Sequence, residues 1–214
     1  MQIKIWSDFV CPFCYIGDTH LQAALNNFEH ADEVTIEYKS YILSPDANRL
    51  PGESYEETFA RMKNIDVSQV EMMLRQVRQM AAMADLSLDF SIAKMANTNK
   101  AHEIFQYTKS KGYGRQFFQR LFQAHFEEGE DLADEKVLQS FVQDIGLDYK
   151  EFQTKGQGET YKLKLEQDIA ESHSVGVQGV PFFVFINKYG ISGAQPVETF
   201  EQVLNDVWSK SIEQ

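Results

Sequence analysis

Strand-type sequence occurs only at the two ends of this chain, and the long middle reads as one helix after another. That distribution limits the fold more than any single motif does. Near the start, Ile3 and Ile5 alternate with Gln2 and Lys4 and lead to Trp6, a strand pattern over 2–6. A helix-like run follows, with Leu21, Ala24, Leu25 and Phe28 spaced for one face. Residues 34–41 then alternate again and are rich in β-formers, which completes a βαβ unit in about forty residues. Pro45, Asn48, Pro51 and Gly52 make a linker. Beyond it the spacing predicts five amphipathic helices with no strand between them. Capping boxes at Ser54/Glu57 and Ser68/Glu71 open the first two; Thr98 and Asp134 cap later ones, and Gly112 and Gly146 mark stops. Strand character returns after a helix through Leu163, Leu165 and Ile169. Residues 182–186 form an apolar strand, 187–190 a turn and 191–194 a short partner strand. A final helix from Pro196 carries Val197, Phe200, Val203, Leu204 and Val207. The parts expected are therefore 1–47 and 157–214, sharing one sheet, with a helical insertion over 48–156.

The only two cysteines lie at the junction of the first strand and first helix, in Cys11-Pro12-Phe13-Cys14. Pro12 suits the first helical position, where no N–H is needed and φ is preset, so Cys11 falls at the N-cap. A thiolate is the nucleophile of disulfide exchange, and a helix N-terminus favours it through the macrodipole and free backbone N–H groups. Cys14, one turn further in, gains less from that end and is expected to be less exposed. The roles follow: Cys11 attacks or is attacked, and Cys14 resolves the mixed disulfide. The competing reading is half of a zinc site. Zinc needs two more ligands, and the sequence has neither a second cysteine pair nor an H-x₃₋₅-H spacing. Redox chemistry is preferred, and no metal is expected.

Gly179-Val180-Pro181 stands before the strongest strand. A proline opening a strand needs no function. Beside a strand–CxxC–helix unit, a cis Val180–Pro181 bond could instead place backbone next to the dithiol, where an extended substrate would pair with it. His102 either tunes Cys11 or contacts substrate, or is a helix-surface histidine. His125, on an aromatic face, reads as a core histidine. Asp8 is a proton acceptor for Cys14 or, more simply, a turn cap. Phe117, Phe118, Phe122 and Phe126 read as core.

Taken together, these residues resemble the thioredoxin superfamily, in its DsbA-like branch of the FrnE type. The matching pieces are 7–17 around the two cysteines, Asn97-Thr98 with Ala101-His102, and Leu121-Phe122 with His125-Phe126. They continue with Asp131-Leu132 and Asp134, Gly176-Val177 with 179–183, and 192–196. The resemblance spans nearly the whole chain in order. It implies an α/β thioredoxin fold with an all-helical domain inserted after the N-terminal βαβ unit. It also implies Cys11 as the attacking cysteine, Pro181 as a cis-proline, and thiol–disulfide oxidoreductase or isomerase activity. Pro12, Phe13, Val180, Pro181, His102 and Asn97 become candidates for binding substrate or tuning the dithiol. No bound cofactor is implied beyond the redox-active disulfide, with glutathione or a dithiol reductant as electron partner and protein or small-molecule disulfides as substrates. The same branch is similar to 2-hydroxychromene-2-carboxylate isomerases and kappa-class glutathione transferases, which use a serine at a glutathione site. Both cysteines are kept here, which favours dithiol chemistry, and the glutathione-dependent isomerase or transferase is the alternative.

A formal net charge of −12 argues against nucleic acid, whose phosphates need a basic stripe, and equally against anionic lipid. No apolar run approaches the roughly 18 residues of a membrane span. The ten residues before Cys11 alternate like a strand, without the charged-then-apolar order of a signal peptide. The expectation is a cytoplasmic protein, where a lone Cys-x-x-Cys is catalytic or metal-binding more often than structural.

Overall fold

A computed structural model describes residues 1–155 and 159–212. The order is β1 (Gln2–Ser7), α1 (Pro12–Asn26), β2 (Thr35–Ser40), α2 (Tyr55–Lys63), α3 (Val67–Met83), α4 (Asn99–Ser110), α5 (Gly114–Phe126), α6 (Glu135–Asp144), α7 (Tyr149–Lys155), α8 (Glu159–Ser174), β3 (Phe182–Phe185), β4 (Tyr189–Ser192) and α9 (Val197–Ile212). The four strands form one sheet in the order β2-β1-β3-β4. β1 runs parallel to β2 and antiparallel to β3, and β3 runs antiparallel to β4. This is the α/β thioredoxin arrangement expected, with the helices α2–α7 entering the chain between β2 and α8. The boundary expected at 156/157 lies outside the described residues.

Alternation along β1 assigns the two faces of the sheet. Ile3 and Ile5 pair in register with Phe185 and Phe183, and all four are buried with Leu21, Ala24 and Leu25 of α1 and Phe200, Leu204 and Val207 of α9. The rings of Phe183 and Phe200 meet edge-on at 4.8 Å. On the opposite face Trp6, Val177 and Val184 form a smaller cluster, and the Trp6 indole N–H donates to the Asp168 carbonyl of α8 at 2.9 Å.

Several sequence expectations shift. The second inserted helix opens two residues early, at Asp66 rather than Ser68. The Asp66 N–H donates to Gln69 Oε1 at 3.2 Å, so Asp66/Gln69 satisfies the capping pattern that Ser68/Glu71 suggested. Ser54/Glu57 closes its box as expected. A sixth helix, α7, appears among the described residues where no helix was expected. It has only seven residues, begins under an Asp148 side chain that accepts from Lys150 N at 2.9 Å, and is held by buried Tyr149 and Phe152. In α8 the apolar Leu163 faces solvent while Asp168 faces inward with Leu165 and Ser172. The final hairpin turns earlier than expected, since Ile186 and Asn187 both take positive φ and the partner strand begins at Tyr189.

Candidate active site

Cys11 is the N-cap of α1, with φ −94° and ψ 110°, and Pro12 is the first helical residue. The turn before it is closed by a bond from Cys11 N to the Asp8 carbonyl at 3.1 Å. The Cys11 sulfur makes no side-chain cap; it points instead at the Val180 carbonyl, 3.6 Å away. The Val180–Pro181 peptide is cis. Cys14 follows one turn on. Both thiols are free and buried, Cys11 4% exposed and Cys14 1%. Burial pushes the Cys14 thiol well up from its ordinary value, and the hydrogen bond and charge of Cys11 add to this; Ser7 and the Asp8 backbone oppose it only partly.

The approach of α1 to the cis-proline loop depends on Gly17. A Cβ there would lie 3.0 Å from Pro181 Cγ and 3.2 Å from the end of the Phe183 ring. A helix that begins at the dithiol can therefore rest directly against the loop carrying Val180.

Cys11 opens into an apolar groove of about 390 Å³. Val10, Pro12, Phe13, Gly179 and Val180 form one side, and α2 and α3 form the other. From α2 come Tyr55, Phe59 and Lys63, spaced i, i+4, i+8 on one face; from α3 come Val70, Met73, Leu74, Val77 and Met80. Phe13 is 38% exposed at the rim. Tyr55 is buried, and burial first, then the nearby Cys11 charge, raises its phenol.

Beneath the motif lies a buried polar knot. Asp8 is fully buried and its carboxylate accepts from the Leu43 N–H at 2.7 Å and the Thr98 hydroxyl at 2.9 Å. His102 Nε2 lies 3.3 Å from the same carboxylate, and the imidazole stacks on Phe9 at 4.3 Å. His102 is thus buried and reaches the dithiol region through Asp8 rather than through the groove. Thr98 stands at the N-cap of α4, but its hydroxyl goes to Asp8 instead of the helix. Asn97 donates to the Pro45 carbonyl and accepts from Asn99 N at 2.9 Å, so it ties the linker to the start of α4. His125 is in the core, as read from its aromatic neighbours.

Cys11, Pro12, Phe13 and Val180 are therefore brought to one opening, with Pro181 and Cys14 directly behind them. Sequence reasoning placed Tyr55, Met73 and Met80 nowhere near Cys11 and did not single out Lys63. The i, i+4 stripe on α2 is the signal that could have put Tyr55 and Lys63 on one face with Phe59; Met73 and Met80 belong to α3. Among the described residues no group of three or more His, Cys, Asp or Glu is placed to hold a metal ion.

A family model described as a DSBA-like thioredoxin domain matches residues 2–205. An uncharacterised protein of Bacillus subtilis, YwbO, is 26% identical over 212 residues, with 98% of both chains covered. Among solved structures, a probable DsbA oxidoreductase from Streptomyces coelicolor is 26% identical with a TM-score of 0.89, covering 98% of this chain and 90% of that one. A 2-hydroxychromene-2-carboxylate isomerase is 15% identical, with a TM-score of 0.73 and coverage of 100% and 98%. The cytosolic disulfide reductase DsbM of Pseudomonas aeruginosa with GSH is 15% identical, with a TM-score of 0.65 and coverage of 96% and 98%. The last two likenesses concern the fold.

Proposed function

The chain belongs to the DSBA-like thioredoxin domain family of thiol–disulfide oxidoreductases, and from that premise we propose that it exchanges disulfides through Cys11 and Cys14 in the cytoplasm. The observation that carries this reading is the placement of the two sulfurs. Cys11 lines the groove 3.6 Å from the Val180 carbonyl, whereas Cys14 is sealed behind it with its thiol held protonated. In the reductive direction the Cys11 thiolate attacks a substrate sulfur, and the departing sulfur takes a proton. Cys14 then loses its proton and attacks Cys11 Sγ, which releases the second substrate sulfur and leaves the Cys11–Cys14 disulfide. Burial of Cys14 delays that second step until the mixed disulfide has replaced the Cys11 charge that helps keep the thiol protonated. Pro12, Phe13 and Val180 contact the substrate, and Pro181 holds the Val180 backbone beside the sulfur. His102 and Asn97 position the motif through Asp8 and the Pro45 linker.

The test is reduction of a protein disulfide driven by dithiothreitol. Cys11→Ser loses the catalysed rate, and Cys14→Ser accumulates a mixed disulfide detectable by mass. Equal rates for Cys11→Ser and wild type overturn the assignment. Direction follows from the reduction potential of the couple. A value near about −270 mV, as in thioredoxin, supports a reductase, and one near about −120 mV makes it an oxidant.

A second reading, a glutathione-dependent isomerase or transferase, rests on the size of the groove, about 390 Å³, and not on its single charge. It requires saturable glutathione binding and an activity that survives Cys14→Ser. Loss of all activity in that variant eliminates it.

A further inference from the structure

The walls of the groove are largely aliphatic and aromatic. Of the residues lining it, Lys63 is the one basic side chain and none is a carboxylate; Ser44, Gln76 and the Tyr55 phenol are its neutral polar members beside the Cys11 sulfur. On α2 the stripe grades outward from buried Tyr55 through half-buried Phe59 to exposed Lys63. Tyr55 and Cys11 line the same groove, Tyr55 buried within it. Eight residues of helix separate Tyr55 from Lys63, a rise of about 12 Å. Among the described residues no carboxylate pairs with the Lys63 ammonium, which is equally true of Lys94, Lys150 and Lys164; Lys63 differs from these in lining the groove. The groove thus combines the Cys11 sulfur, a largely apolar lining, and a single lysine ammonium without a carboxylate partner.

Glutathione fits this poorly. Its two carboxylates and one ammonium would give up water against Met73, Val77 and Met80 with one cation to answer them. A chain with one anion at its far end fits better.

We propose that the groove takes a dithiol acid: an aliphatic chain with two thiols at one end, which meet Cys11, and a carboxylate at the other, which meets Lys63. This rests on the redox reading of Cys11 and Cys14, and it assigns the electron donor of that couple. One donor thiolate attacks Cys11 Sγ in the Cys11–Cys14 disulfide, and Cys14 leaves as a thiolate that takes a proton. The second donor thiolate then attacks its partner sulfur, closing a cyclic disulfide and expelling the Cys11 thiolate. Two electrons pass from donor to protein. Attack falls on Cys11 because it lines the groove and Cys14 does not.

The probe is dihydrolipoate, compared with dihydrolipoamide, which keeps the chain and thiols but lacks the charge and stands for a lipoyl group attached to protein. Reduction of the oxidised protein is followed by trapping new thiols, in the wild type, Lys63→Met and Lys63→Arg. The wild type is expected to saturate with dihydrolipoate and to prefer it to dihydrolipoamide by about fivefold, the upper range for a surface ion pair. Lys63→Met is expected to collapse that ratio to about one, and Lys63→Arg to keep it. Equal rates for acid and amide in the wild type, or a ratio untouched by Lys63→Met, overturn the proposal. If dithiothreitol-driven turnover persists in that case, only the donor assignment fails. If dithiothreitol also gives no Cys11-dependent turnover, the redox reading fails with it.

Discussion

Gly17 shows how narrow the tolerance is around the dithiol. It sits in the interior of α1, where glycine costs about 1 kcal/mol relative to alanine. Helix propensity therefore predicts that Gly17→Ala stabilises. The surroundings predict the reverse, because the new Cβ would lie 3.0 Å from Pro181 Cγ, 3.2 Å from the Phe183 ring and 3.5 Å from the Ala194 Cα. Two of these neighbours belong to the loop and strand that fix Val180 beside Cys11, so they have little room to withdraw. Gly17→Ala is expected to lower stability by about 1–2 kcal/mol, since overpacking outweighs the propensity gain. Urea unfolding measures it, and an unchanged or raised midpoint would show that the loop gives way freely. At this scale the local rules of helix starts put Cys11 at the N-cap of α1 with Cys14 one turn on, whereas the cis Val180–Pro181 bond was an expectation of the family resemblance and not of any strand-start rule. The sequence was silent about Lys63 and misleading about Thr98. A cap is a local inference, but the Thr98 hydroxyl is claimed by Asp8, 90 residues away.

Among the elements, α8 carries the least expected burden. Its sequence suggested an apolar face through Leu163, Leu165 and Ile169, yet Leu163 is exposed and Asp168, 5% exposed, is buried beside Leu165. Asp168 Oδ2 accepts from Ser40 N at 2.9 Å and from Gln106 Nε2 at 2.6 Å, and Lys39 Nζ lies 3.1 Å from the other oxygen. These partners come from β2 and α4, so one carboxylate ties the sheet to the inserted helices. No periodicity reports such a tie, because a buried Asp looks like a surface residue until its partners are brought up. Asp168→Ala would leave a strand N–H and a buried amide without their acceptor and remove one of the three acids around Lys39. The expected loss is about 3 kcal/mol by urea or thermal unfolding, in the range for breaking a buried charged network. A loss below about 1 kcal/mol would mean that water replaces the carboxylate and that the tie is not structural. Element order and type were legible in the sequence because long amphipathic runs and alternating strands are local patterns. The short α7 was not, since seven residues with two aromatics gain their stability from the core they enter.

Across the whole molecule, two buried groups give opposite pH dependences. Asp18 of α1 is enclosed with Tyr38, whose hydroxyl donates to Oδ1 at 2.9 Å. Burial raises its carboxyl to about 6, and Tyr38, Arg115 and Gln22 only partly restrain the rise. A folded value above the unfolded one means that the native state holds the proton more tightly. The resulting stability is fully present below the unfolded value of 3.8 and is lost as pH rises through 6. His125 of α5 has neither ring nitrogen hydrogen-bonded among the described residues, and burial lowers it to about 4 despite the charges of Asp8 and Asp131. Above 6.5 it is neutral in both states. As pH falls from 6.5 towards 4 the unfolded chain takes the proton first, so stability is lost. Each shift is about two units, worth roughly 3 kcal/mol, and the two windows overlap between pH 4 and 6. Their contributions therefore cancel there. Asp18→Asn should make stability fall more steeply than wild type on acidification, by about 3 kcal/mol between pH 6.5 and 4, and His125→Leu should shift the profile the other way by a similar amount. The double variant should run parallel to wild type. Urea unfolding at pH 4, 5, 6 and 7 tests all three, and single-variant profiles parallel to wild type would mean that neither group titrates differently on folding.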